Sequence, residues 1–227
     1  MLDTVIASDL HLGDKRCDLE QVASLFGHIG HVHQLIIAGD VLDSWVANTW
    51  DIDKLTALLG GLISHTIILE SGNHDPNNLQ ELMGDKFIVK EQHEVDTRRG
   101  KYLVIHGHQY DNILQNYSLF VRMCFSIHQV MLKKFGWDLQ KLLRFSLSKR
   151  NSSKYFKSLV RDSIKQMMVD FKDYAGVICG HTHFPIRQQF DDFEYINCGD
   201  LIEHYSYVKI DKEGEVSLCG YFPTIKN

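Results

Sequence analysis

Five short apolar runs, each followed at once by residues that turn tightly or bind metals, constrain this chain more than any other feature. They are TVIAS (4–8), QLIIA (34–38), TIILE (66–70), YLVI (102–105) and GVIC (176–179). Each is brief and rich in Val and Ile, as buried strands are. Helical spacing separates several of them. Asp18 can cap a helix carrying Leu19, Val22, Ala23 and Phe26 at i, i+3, i+4 and i+7, with Gln21 in the capping-box position. Leu55, Leu58, Leu59 and Leu62 repeat that spacing. Strand, helix, strand over the first half predicts an α/β sheet with parallel pairing. Towards the end, FEYINC, SYVKI and EVSLCGYF read as strands with a turn at DKEG (211–214), predicting a second sheet closed by hairpins.

The residues after the runs carry the chemistry. Asp9 and His11 follow the first, Gly39 and Asp40 the second, and G-N-H-D (72–75) the third; H-G-H (106–108) and G-H-T-H (180–183) follow the last two. In α/β sheets, ligands bind in the crevice at the carboxyl ends of the strands. Asp9, His11, Asp40, Asn73, His106, His181 and His183 make seven donor side chains, only two of them carboxylates. One zinc ion takes three or four protein ligands, so seven overfill it. Two cations about 3.5–4 Å apart would use them all. In an extended segment residues i and i+2 share a face, so His181 and His183 can each serve one cation. Imidazole, carboxylate and amide donors without thiolate suit Mn²⁺ foremost, with Fe²⁺, Zn²⁺, Co²⁺ or Mg²⁺ as alternatives, and argue against a structural zinc.

Taken in order, D-x-H, G-D, G-N-H-D, H-G-H and G-H-T-H resemble the calcineurin-like metallophosphoesterases over roughly residues 3–205. The resemblance implies a four-layer α/β/β/α sandwich of two mixed sheets with a dinuclear site. It implies Asp9, His11, Asp40 and His183 at one metal, and Asp40 as a bridge with Asn73, His106 and His181 at the second. His74 matches the histidine that contacts the phosphate and assists the leaving group, and Asp75 the residue that orients it. G-D-V-L-D-S-W (39–45), a helical insertion at about 112–172, V-I-C-G-H-T-H and N-C-G-D-L-I-E-H (197–204) are similar to the UDP-2,3-diacylglucosamine pyrophosphatase branch, which serves lipid A synthesis. Two positions depart from it: His74 stands where well-known members have arginine, and His108 where they have aspartate.

The chemistry so implied is hydrolysis of a phosphodiester or pyrophosphate by a water that paired cations activate. Asp43, His108 and His204 are expected to support the site or touch substrate. His28, His31 and His33 precede a strand at the end away from the donors and read as a surface connector. Cys198 lacks a paired base and reads as packing.

The charge pattern bears on partners. Net charge is −5, yet residues 133–165 hold ten basic residues against Asp138 and Asp162, so the rest is strongly acidic. The basic stretch reads either as a solvated helical face or as a contact for an anionic partner. Phe156, Val160, Ile164, Met167 or Met168, and Phe171 form an apolar stripe, with Ser152 or Ser153 as a cap. The stretch 118–132 is apolar enough to be core or to line something greasy. A nucleotide-linked lipid with peripheral membrane contact is the first substrate reading. A general phosphodiesterase or nuclease is the second, and the few aromatics in the basic stretch count against nucleic acid. A non-catalytic scaffold is the third. No run is long enough to suggest a membrane span, the start MLDTVIASDL lacks export-signal features, and five scattered cysteines without a C-x-x-C pair fit a reducing compartment. A cytoplasmic protein is therefore expected; oligomeric state is unread.

Overall fold

The structure is a computed structural model and describes residues 3–44, 52–62, 66–111 and 152–220. The chain divides into two compact units, residues 1–107 with 171–227 and residues 108–170. The stretch 118–132 and the basic residues up to Arg150 lie outside the described residues.

The first unit holds two mixed sheets. The first sheet has the order β11-β10-β1-β2-β3-β4, built from β1 (Thr4–Ala7), β2 (Gln34–Ala38), β3 (Thr66–Glu70), β4 (Ile88–Lys90), β10 (Ser206–Ile210) and β11 (Val216–Gly220). Its strands β1 to β4 are parallel, and β10 and β11 join antiparallel. The second sheet has the order β5-β6-β7-β9-β8, from β5 (Gln92–Thr97), β6 (Gly100–Ile105), β7 (Gly176–Cys179), β8 (Ile186–Phe190) and β9 (Phe193–Asn197). Here β6, β7 and β9 are parallel.

Strand alternation sorts side chains into two cores. Val5, Ala7, Leu35, Ile37 and Leu69 pack with Val22, Leu25, Phe26, Leu55 and Leu59 on the helical side. Those helices are α1 (Leu19–Ile29), α2 (Ile52–Leu62) and α3 (Leu79–Met83). Ile6, Ile36, Ala38 and Ile68 point the other way and pack with Tyr102, Val104, Ile178 and Ile196 of the second sheet. The mixed α/β sandwich is as expected.

Details differ. Asp18 caps α1 through the amides of Glu20 and Gln21, but Gln21 donates its amide to the Asp18 carboxylate rather than completing a capping box. Leu25, not Ala23, is the buried partner of Val22 and Phe26. The turn at 211–214 forms, with the Gly214 amide donating to the Asp211 carbonyl, but its hairpin of β10 and β11 joins the first sheet rather than closing the second. Three strands, β4, β5 and β8, carry no apolar run; all are sheet edges and mostly exposed.

In the second unit, a 3₁₀ turn spans His108–Tyr110 and α4 spans Ser152–Asp170. Ser152 and Ser153 thus both lie inside the helix rather than before it. Ile164 and Met167 of the stripe are buried. Ser163 donates to the Tyr110 carbonyl and the Tyr110 hydroxyl to Asp170, tying turn to helix. Among the described residues no helix is long and apolar enough to cross a membrane.

Candidate metal centre

Every donor after β1, β2 and β7 leaves its strand in an unusual backbone conformation. Asp9 (φ 58°), His11 (49°), Asp40 (53°), His181 (67°) and His183 (58°) are all left-handed, a region non-glycine residues rarely enter. Interstrand hydrogen bonds hold them there: the Asp9 amide donates to the Gly39 carbonyl and the His11 amide to the Asp40 carbonyl. Two glycines make room. A Cβ on Gly39, itself left-handed, would overlap the His106 ring, and one on Gly72 would overlap the Asp40 carboxylate and amide.

Three imidazoles converge on two buried carboxylates. His11 Nε2 lies 3.6 Å from Asp9 Oδ1 and 3.4 Å from Asp40 Oδ2. His183 Nε2 lies 3.3 Å from Asp9 Oδ1, and His106 Nε2 3.4 Å from Asp40 Oδ2. Asn73 Oδ1 is 3.3 Å from the same His106 nitrogen. The His181 ring stands edge-on to His106 at 5.2 Å between centroids, and its amide donates to Asp9 Oδ2. Asp9 with His11 and His183, and Asp9 with Asp40 and His106, could each hold an ion; so could His11 with Asp40 and His74.

On each ring the other nitrogen faces an acceptor. His106 Nδ1 is 2.8 Å from the Ala38 carbonyl, His11 Nδ1 is 3.6 Å from Asp43 Oδ2, and His183 Nδ1 is 3.3 Å from Asp200 Oδ2. A proton on Nδ1 leaves a lone pair on Nε2, aimed at anionic oxygens. Such an arrangement needs positive charge there, supplied by a second proton on Nε2 or by a cation in its place. Asp9 Oδ1 and both His11 nitrogens are buried and have no hydrogen-bond partner, although an orphaned buried polar atom costs about 1–3 kcal/mol. The donor set therefore fits divalent cations. Its electrostatics agree. Burial pushes the Asp9 carboxyl up, but His183, His11 and His106 outweigh it and hold it at about 2. Burial likewise raises Asp40, yet His106 and His11 keep it well below the usual carboxylate range. Burial pushes the His106 imidazole down, but the Asp40 charge raises it to about 9.

Around this centre, His74 Nδ1 is 3.1 Å from Asp43 Oδ1, and the His74 amide donates to Asp40 Oδ1. The carboxylate touching the His74 ring is thus Asp43. Asp75 instead accepts from the Leu42 and Gly72 amides, pinning the loops after β2 and β3 together. Burial and the Asp40 charge push the Asp75 carboxyl up to about 6. His204 Nδ1 is 3.0 Å from Asp200 Oδ2. His108 opens the 3₁₀ turn of the second unit.

Two residues here escaped the sequence reading as site residues. Ser8 donates to Asp9 Oδ2 at 2.6 Å, and Asp200 touches two imidazoles. Both stand beside a strand end in motifs already quoted, S-D-L-H and N-C-G-D, which is the signal that was available. His28, His31 and His33 are exposed, as expected of a connector. Cys198 is fully buried, and burial pushes its thiol well up, so it supplies no thiolate.

Several solved structures are similar to this chain. An archaeal phosphodiesterase is 19% identical, with 96% of this chain and 99% of that one covered, at a TM-score of 0.52. Vacuolar protein sorting 29 from Cryptosporidium parvum is 13% identical over 96% of each chain, TM-score 0.49. Yfce, a phosphoesterase from E. coli, is 14% identical over 96% of this chain and 98% of its own, TM-score 0.47. Among curated protein sequences, none matches. The model of the calcineurin-like phosphoesterases matches residues 2–185, and the chain, with its two mixed sheets and its donors at their strand ends, belongs to that family.

Proposed function

We propose that this protein is a hydrolase that uses two divalent cations to cleave a phosphodiester or pyrophosphate bond. Its favoured substrate class is a nucleotide-linked lipid such as UDP-2,3-diacylglucosamine, with release of UMP. The observation that carries the hydrolase reading is the convergence of the His11, His106 and His183 Nε2 atoms on Asp9 and Asp40. Asp9, His11, Asp40 and His183 would hold one cation, and Asp40, Asn73, His106 and His181 the other, Mn²⁺ being favoured. When bound, the cations supply Lewis acidity and an activated water.

The chain's own residues do the rest. Asp43 fixes His74 through Nδ1, which sets Nε2 to hydrogen-bond the phosphate or deliver a proton to the leaving oxygen. General acid help of this kind is worth about 10²–10⁴-fold. Asp75 keeps the two loops in register. A helical insertion at about 112–172 would hold acyl chains, and its basic residues would bind anionic headgroups or phosphates; the apolar stretch 118–132 and the charge of 133–165 support this. A cytoplasmic enzyme in peripheral contact with the membrane fits the same features.

The test is to purify the protein with Mn²⁺ and assay bis-p-nitrophenyl phosphate, then UDP-2,3-diacylglucosamine, UDP-sugars, cyclic nucleotides and single-stranded DNA. Release of UMP from the lipid supports the reading. Robust DNA cleavage with no UMP release overturns the substrate class in favour of a nuclease, and no turnover of any of them overturns the hydrolase.

A further inference from the structure

Asp200 lies just beyond β9, almost wholly buried. One of its oxygens is saturated by backbone. Oδ1 accepts from the amides of Ile202 at 3.0 Å, Glu203 at 2.6 Å and His204 at 2.9 Å. These bonds lock the carboxylate in the turn at 201–204 and leave Oδ2 with one direction to face. Oδ2 meets two imidazoles, His183 Nδ1 at 3.3 Å and His204 Nδ1 at 3.0 Å. On the far side of the His183 ring, Nε2 is 3.3 Å from Asp9 Oδ1.

We infer that Asp200 is the positioning residue of the centre: its Oδ2 holds the proton of His183 on Nδ1 and so keeps the Nε2 lone pair turned towards Asp9. The inference rests on the reading that His183 is a metal ligand. A carboxylate behind a ligating imidazole fixes both its tautomer and its orientation, and losing it typically weakens metal binding about 10–100-fold. Asp200 is suited to this because the backbone, not the imidazoles, determines where it points. His204 competes for the same oxygen, and its ring edges onto exposed Phe184 at 6.1 Å. The second imidazole is therefore held beside the centre by the same carboxylate.

Asp200→Asn tests the inference, because an amide oxygen can still accept from the three backbone amides while the amide nitrogen presents a donor to His183 Nδ1. That donor drives the His183 proton onto Nε2, where it blocks a cation. Titration of the apoprotein with Mn²⁺, followed by calorimetry, should show two equivalents in wild type. In Asp200→Asn one equivalent should weaken about 10–100-fold, with the melting temperature of the metal-free protein little changed. Unchanged affinity at both sites overturns the inference. A wild-type chain that binds no Mn²⁺ overturns the metal reading beneath it as well. Independently of any variant that fails to fold, nitrogen NMR of metal-free wild type, assigned with His183→Gln, should find a proton on Nδ1 of His183; a proton on Nε2 with none on Nδ1 overturns the inference.

Discussion

His74 Nδ1 sits 3.1 Å from Asp43 Oδ1, and the other oxygen of that carboxylate is 3.6 Å from His11 Nδ1. Asp43 therefore spans a residue proposed to hold metal and the residue proposed to act on phosphate. His74→Ala should lower turnover of bis-p-nitrophenyl phosphate about 10²–10⁴-fold while elemental analysis finds the metal content of wild type. Loss of metal in parallel would make His74 a ligand instead.

Asp40 is the carboxylate proposed to serve both cations. Its oxygens meet His11, His106 and the His74 amide. Asp40→Ala should leave both imidazoles without their counter-charge and empty both cation positions. Elemental analysis should show metal content near zero, and activity should not be recovered by added Mn²⁺.

Binding of cations should also be visible as stability. Asp9 Oδ1 and His11 Nε2 are buried without a hydrogen bond, and a bound cation would give both a partner. Mn²⁺ at about 100 times its dissociation constant stabilises a one-site protein by about 2.7 kcal/mol. Differential scanning fluorimetry should record a melting temperature that rises with Mn²⁺ and falls back with EDTA, by less in Asp9→Asn.

Far from the centre, Glu194 of β9 makes a pH-sensitive brace. It accepts from the Tyr102 hydroxyl at 2.6 Å and from Arg187 Nε at 2.8 Å. Burial pushes its carboxyl up, but Arg187 and Tyr102 outweigh that and hold it below its ordinary value of about 4.5. A depressed folded-state value adds stability above the unfolded value and loses it as pH falls through the folded one. Glu194→Gln should cost about 1–3 kcal/mol at neutral pH. Urea melts between pH 3 and 7 should show a shallower acid loss in the variant than in wild type.

What could be read from the sequence followed burial. β2, β3 and β7 coincide with their apolar runs because both faces of each are covered, and β10 alternates because one face is. β5, with the sequence QHEVDT, and β8, with IRQQF, border their sheet and bury few side chains, so no hydrophobic run marks them. The donors were legible because each follows a buried strand. Asp43 and Asp75 share a carboxyl group and differ only in what they touch; three-dimensional contact, not spacing, assigns His74 to the former. Asp200 acts through backbone amides of its own turn, and no residue type announces that.

The left-handed backbone at Asp9, His11, Asp40, His181 and His183 sets chemistry against durability. An L-residue in that region is worse off than glycine by about 1–2 kcal/mol. His181→Gly, at a position only half covered, should therefore leave the metal-free protein at least as resistant to heat as wild type, with its catalysis gone; a lower melting point in chelator would count against this. Pressure for sturdiness alone would trade such donors for glycine one residue at a time, a drift that only the proposed binding of cations would oppose.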